Sequence, residues 1–168
     1  MSSSDVFSSS AVVYFVLIAL SATQLLNGDC PSAKLCHIVE PWFLGPGATG
    51  PGGDDFAKFA EQAGREHGVQ FHKSVAALPP VAKGVKRLAL ISGRTADNPH
   101  LLTEAIAAGC SSIYLEKPGA PTVAELEIMM KEADAAGVTV LMGYNKVSFA
   151  EYARDVLSVV LVGFCFRY

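Results

Sequence analysis

The 168-residue chain is 51% apolar and 17% charged, with 13 basic and 16 acidic side chains and a net charge of −3. This length supports one core of common domain size, not a dinucleotide-binding domain plus a separate substrate domain. The apolar fraction excludes a disordered chain, and a slightly acidic charge balance with scattered lysines argues against nucleic acid as the main partner.

Residues 1–10 are serine-rich and read as a disordered tail. Residues 11–22 (AVVYFVLIALSA) form a continuous apolar run. No Lys or Arg precedes it, as a secretory signal would require, and it falls short of the ~20 apolar residues of a membrane span. Its β-branched and aromatic content fits a fully buried parallel strand, with a signal or anchor as the minor alternative. Cytoplasmic localisation, with no membrane partner, is therefore expected.

From residue 33 onward, strand-like and helix-like runs alternate. Residues 33–39 read as a strand, followed by the loop GPGATGPGG at residues 45–53. Asp54 and Asp55 supply N-cap and first-turn acidity for a helix through His67, which Gly68 ends. Strands are expected at residues 69–75 and 86–92. Asn98 and Pro99 open a helix closed by Gly109, and residues 111–116 form the next strand. Thr122 and Glu125 make a possible capping box for a helix with Leu126, Met129, Met130 and Ala133 on one face, and Gly137 closes it. Residues 138–143 (VTVLMG) lack polar alternation and should be a strand buried on both faces. Such alternation implies parallel pairing through right-handed crossovers, hence a doubly wound, Rossmann-like, three-layer α/β/α sheet in one domain over residues 11–147.

Cys30, Cys36, Cys110 and Cys165 contain no CxxC pair, and no histidine stands at ligand spacing from them. They read as small buried apolar residues in a reducing compartment, with no metal site.

Ligands of an open parallel sheet bind beyond the carboxyl ends of its strands. The residues there include Ala19 and Ser21, Glu40, Ser92 and Arg94, Glu116-Lys117-Pro118, and Tyr144-Asn145-Lys146. Together they offer carboxylates, amines, a guanidinium and hydroxyls.

Residues 88–146 combine a strand, Asn98-Pro99-His100 at a helix start, a helix ending in Ala108-Gly109, Glu116-Lys117-Pro118 after the next strand, a capped helix, and a strand ending in Gly143-Tyr144-Asn145. In this order and spacing the chain resembles the amino-terminal domain of the glucose-fructose oxidoreductase and inositol dehydrogenase family (Gfo/Idh/MocA). The resemblance extends less closely to residues 37–41, where the family has an acidic residue closing its second strand.

The resemblance implies an NAD(P)-dependent oxidoreductase acting on a hydroxyl or carbonyl of a polyol or sugar-like molecule. Lys117 would lie beside the nicotinamide and the reacting oxygen, because a lysine amine whose pKa is lowered by burial can take or relay the hydroxyl proton as hydride leaves. His100 would approach the nicotinamide or substrate, or else be a solvated first-turn histidine. Glu116 and Pro118 would shape the turn, and Glu40 would accept from the adenosine ribose hydroxyls, favouring NAD over NADP. Ala19, Ser21, Ser92, Arg94 and Asn145 complete the expected cofactor-binding set.

Two departures qualify the resemblance. Ala19, Ser21 and Gln24 stand where a phosphate-binding turn has glycines, and their Cβ atoms obstruct close backbone approach. A literal GxGxxG at Gly45 to Gly50 is a rival register, but Pro46 lacks an N–H and Asp54 and Asp55 would repel phosphate. The loop reads instead as a flexible insertion. The second departure is residues 148–168, a linker helix and apolar tail where the family continues into a substrate domain. The alternative function is thus a non-catalytic remnant, acting as a nucleotide-binding or protein-interaction module.

Overall fold

Six strands pair side by side, all in one direction, to form a single sheet. The computed structural model describes residues 22–143 and the backbone of residues 159–164. The strands are β1 (Ala33–Val39), β2 (Gln70–His72), β3 (Lys86–Ile91), β4 (Ser112–Glu116), β5 (Thr139–Gly143) and β6 (Val159–Phe164). The spatial order is β2-β1-β6-β3-β4-β5, with every pair parallel. The helices are α1 (Gly53–His67), α2 (Asn98–Ala107) and α3 (Val123–Ala136).

Alternation along the strands sends side chains into two separate cores. Ala89 and Ile91 of β3 join Ile113 and Leu115 of β4 against Leu101, Leu102 and Ala105 of α2 and Met129 of α3. Leu88 and Leu90, the intervening residues, face the other core, with Leu35, Ile38, Ala63 of α1 and Phe71. A register shift between Leu35 and His37 adds a residue to β1 opposite β6. It puts Leu35 and Ile38 in the same core despite their odd spacing, while Val39 faces the opposite one. Helices on both faces make the three-layer α/β/α, Rossmann-like arrangement that the alternating pattern predicts.

Several local expectations change. Ala22, the end of the apolar run, belongs to a helical turn at residues 22–26 and packs with Leu25 and Leu26 beside α1. The rest of that run lies outside the described residues, as do Tyr144, Asn145 and Lys146. Helix α1 starts one residue before Asp54, with Gly52 at φ 83° as N-cap and no side-chain cap, so the two aspartates serve only as first-turn acids. The strand expected at residues 69–75 shortens to three residues, because Val75 enters a 3-10 turn (Val75–Ala77).

Strand β5 stands at the sheet edge. Its Val140, Leu141 and Met142 are half-buried, so the expectation of burial on both faces fails, and among the described residues no strand pairs with its outer edge. Met130 is 64% exposed, whereas Met129 and Ala133 are buried. The buried stripe of α3 is thus narrower than expected and is rotated away from Met130. Among the described cysteines, Cys110 is buried and Cys30 and Cys36 are half-buried, all as free thiols. Burial pushes the Cys110 thiol up to about 12, which keeps it protonated and inert.

Candidate functional site

Because all strands run the same way, their carboxyl ends share one rim. Glu40 follows β1, Ser92 follows β3, and Glu116-Lys117-Pro118 closes β4. The parallel sheet thereby brings five of the expected site residues to that rim.

At the tip of β3, Ser92 is 0% and Asn98 is 1% exposed. Neither Ser92 Oγ nor Asn98 Oδ1 has a hydrogen-bond partner among the described residues. Buried polar atoms are normally paired, and an orphan costs about 1–3 kcal/mol. Gly93 lets this loop lie against the first turn of α2, since a Cβ there would stand 2.6 Å from Leu101 Cδ1 and 3.2 Å from Asn98 Oδ1. Arg94 holds the loop from outside, donating from Nε and Nη2 to the two carboxylate oxygens of Asp97 at 2.7 and 3.0 Å. That fork engages the carboxylate of Asp97, which makes no side-chain cap to α2.

Asn98 was not among the expected site residues. Its polar side chain at a helix start beside a strand tip was the available signal, but only packing reveals that its oxygen is buried and unpartnered. His100, one residue beyond Pro99, is exposed, with Nε2 3.6 Å from Glu104 Oε1 one turn on.

At the tip of β4, the Lys117–Pro118 peptide is cis, and Gly119 (φ 86°) donates its N–H to the Glu116 carbonyl at 3.2 Å. Lys117 is exposed in this turn, so the burial invoked to adjust its amine is absent. Tyr114 Oη lies 3.5 Å from Glu116 Oε1, and a Cβ on Gly143 would run into that phenol. Burial, reinforced by the Glu116 carboxylate, raises the Tyr114 pKa above the usual phenol range, so the hydroxyl stays protonated and donates.

Glu40 is 2% exposed, and its Oε1 accepts from the N–H groups of Trp42 and Phe43 at 2.9 and 3.1 Å. This carboxylate closes the turn after β1. Contact with a ribose would therefore require a rearrangement of that turn.

The Gly45 to Gly53 loop is not the flexible insertion expected. It is a chain of turns in which the N–H groups of Gly45, Gly47, Ala48, Gly50 and Gly53 all donate to carbonyls within residues 42–50. A Cβ on Gly47 would strike the Trp42 indole, and one on Gly53 would strike the Ala48 carbonyl. Amides already committed internally cannot cradle a phosphate, so this GxGxxG does not work as a phosphate loop. Gln24 is exposed in the helical turn, and Ala19 and Ser21 lie outside the described residues.

Among the described residues, no group of three or more His, Cys, Asp or Glu is placed to hold a metal ion, and no helix is long and apolar enough to cross a membrane. No protein-family model matches the sequence. No curated protein matches it either. Among solved structures, the chain is similar to a Klebsiella pneumoniae protein provisionally described as an oxidoreductase, at 17% identity with a TM-score of 0.41. The match covers 64% of this chain and 34% of that one, so the chain spans about a third of that protein's length. The fold assignment rests on strand order and layering.

Proposed function

We propose that this chain is the nucleotide-binding domain of an NAD(P)-dependent oxidoreductase of the glucose-fructose oxidoreductase and inositol dehydrogenase type. The observation that supports it best is the pair of buried, unpartnered oxygens, Ser92 Oγ and Asn98 Oδ1, at the strand-tip rim shared with Glu116-Lys117-Pro118. A dinucleotide carries amide and hydroxyl donors that would satisfy both oxygens once the loop at residues 92–98 opens to admit them, since both atoms are closed to the surface as the loop stands. The turn at residues 45–53 does not fit the cofactor, and phosphate contacts would come from elsewhere on the chain.

When bound, the cofactor accepts or donates a hydride at its nicotinamide. Ser92 and Asn98 would fix the orientation of its polar groups, a gain in positioning rather than in chemistry. Lys117 Nζ would hold the proton that leaves or joins the substrate oxygen. Glu116, accepting from Tyr114, would steady the strand end from which Lys117 issues. Glu40 favours NAD over NADP only if its turn opens to the adenosine ribose. The substrate is a polyol or sugar-like hydroxyl or carbonyl compound.

Ser92→Ala tests the reading, because it separates binding from folding. Removing an orphaned hydroxyl leaves the urea midpoint unchanged or raises stability by up to about 1 kcal/mol, while NADH affinity measured by calorimetry falls about tenfold. Equal NADH affinity in the two proteins, or no binding to either, would overturn the assignment.

A further inference from the structure

Arg87 lies at the opposite rim, near the amino-terminal end of β3, and is 4% exposed. Its Nη1 donates to the Ala108 carbonyl and its Nη2 to the Pro79 carbonyl, both at 2.7 Å. Among the described residues its Nε has no hydrogen-bond partner, and no carboxylate stands within ion-pair distance of the guanidinium. A buried cation is costly unless paired, and two carbonyls, Ala108 at the carboxyl end of α2 and Pro79 in the loop after the 3-10 turn, compensate it only in part.

This guanidinium lines a cavity of about 330 Å³. The other walls are mainly apolar, from Val75, Leu78, Pro80 and Ala107, with the half-buried Glu104 as the second charged side chain. The volume falls in the range of small-molecule sites.

We propose that this cavity binds a small monocarboxylic acid with an apolar body, its carboxylate on Arg87 and its body against Val75, Leu78 and Pro80. One negative charge completes the pairing that the guanidinium lacks. A dianion such as phosphate is disfavoured by Glu104 and by the Pro79 and Ala108 carbonyls already on the same cation. A neutral apolar molecule leaves the charge uncompensated. The site stands at the far end of the sheet from the strand tips, so it does not depend on the nicotinamide reading.

Benzoate titrated into the full chain is the test, followed by thermal midpoint and calorimetry, with phosphate and chloride at matched ionic strength as controls. Benzoate gives a saturable rise in midpoint with millimolar affinity, and the controls give none. Glu104→Gln, which removes a like charge from the wall, tightens benzoate about two- to fivefold. Arg87→Met risks misfolding because it releases two carbonyls, so Ala107→Leu supplies the blocking variant: an exposed helical position accepts leucine, which fills the cavity. Its midpoint without ligand stays near wild type, and its benzoate affinity drops at least tenfold, roughly the loss of the apolar contacts. A shift that does not saturate, that phosphate reproduces, or that persists unchanged in Ala107→Leu would overturn the proposal.

Discussion

Glu40 is the residue whose environment departs most from a ligand-binding role. Its carboxylate is buried and accepts from two backbone amides of the following turn. Glu40→Ala strands both donors and should cost about 2–4 kcal/mol in urea denaturation, whereas Glu40→Gln, which keeps an acceptor, should cost about 1 kcal/mol. Equal losses would show that charge, not hydrogen bonding, holds the turn. A second residue-level feature is the His37 Nδ1 to His72 Nε2 contact at 3.1 Å, which requires one ring to donate and the other to accept. Burial first, then the neighbouring His72 and Arg87 charges, lowers the His37 pKa. Burial and Arg87 do the same to His72. Folded-state values below 6.5 mean that the unfolded chain binds protons more readily. The contribution of the pair is therefore whole above about pH 6.5 and declines as pH falls below it through the folded values. Urea midpoints from pH 8 to 5 should be flat and then fall, and the fall should be smaller in His72→Gln; identical acid loss in both proteins would rule the pair out as its source.

At the scale of elements, what the sequence disclosed depended on whether local chemistry or position in the sheet decides the outcome. The limits of β1, the αL glycines at Gly68 and Gly137, and the Thr122 hydroxyl accepting from the Glu125 amide were all readable, because caps and turns are short-range. The exposure of β5 was not, since VTVLMG reads alike for a central or an edge strand and only strand order settles which it is. Met130 was misplaced because it stands near the margin of the apolar arc of α3, and sequence does not give the angle at which a helix meets a sheet. The glycine-rich loop was misread as flexible because composition shows conformational freedom but not tertiary closure by Trp42 and Ala48. Gly53→Ala tests that closure. The added methyl meets a backbone carbonyl that cannot rotate away, so the variant should lose about 2 kcal/mol or more by thermal or urea unfolding. Gly64→Ala, whose Cβ would have an ordinary 3.6 Å neighbour, should be neutral or slightly stabilising. If both variants behave alike, the loop is not packed as described.

For the whole molecule, alternating apolar runs and helix caps sufficed to foresee a doubly wound parallel sheet, and with it the rim where Ser92, Glu116 and Lys117 gather. That β6 separates β1 from β3 was beyond local reading, because an apolar segment near the end of the chain carries no mark of its place in the strand order. The buried state of Ser92 Oγ and Asn98 Oδ1 was equally invisible, since it arises from Gly93 folding the tip of β3 onto α2. Hydrogen–deuterium exchange of the full chain with and without saturating NADH bears most directly on whether that rim takes a dinucleotide. Protection should rise at residues 92–100 and 116–119 and stay unchanged at residues 45–53. Unchanged exchange at the first two segments, or protection centred on the third, would contradict the account.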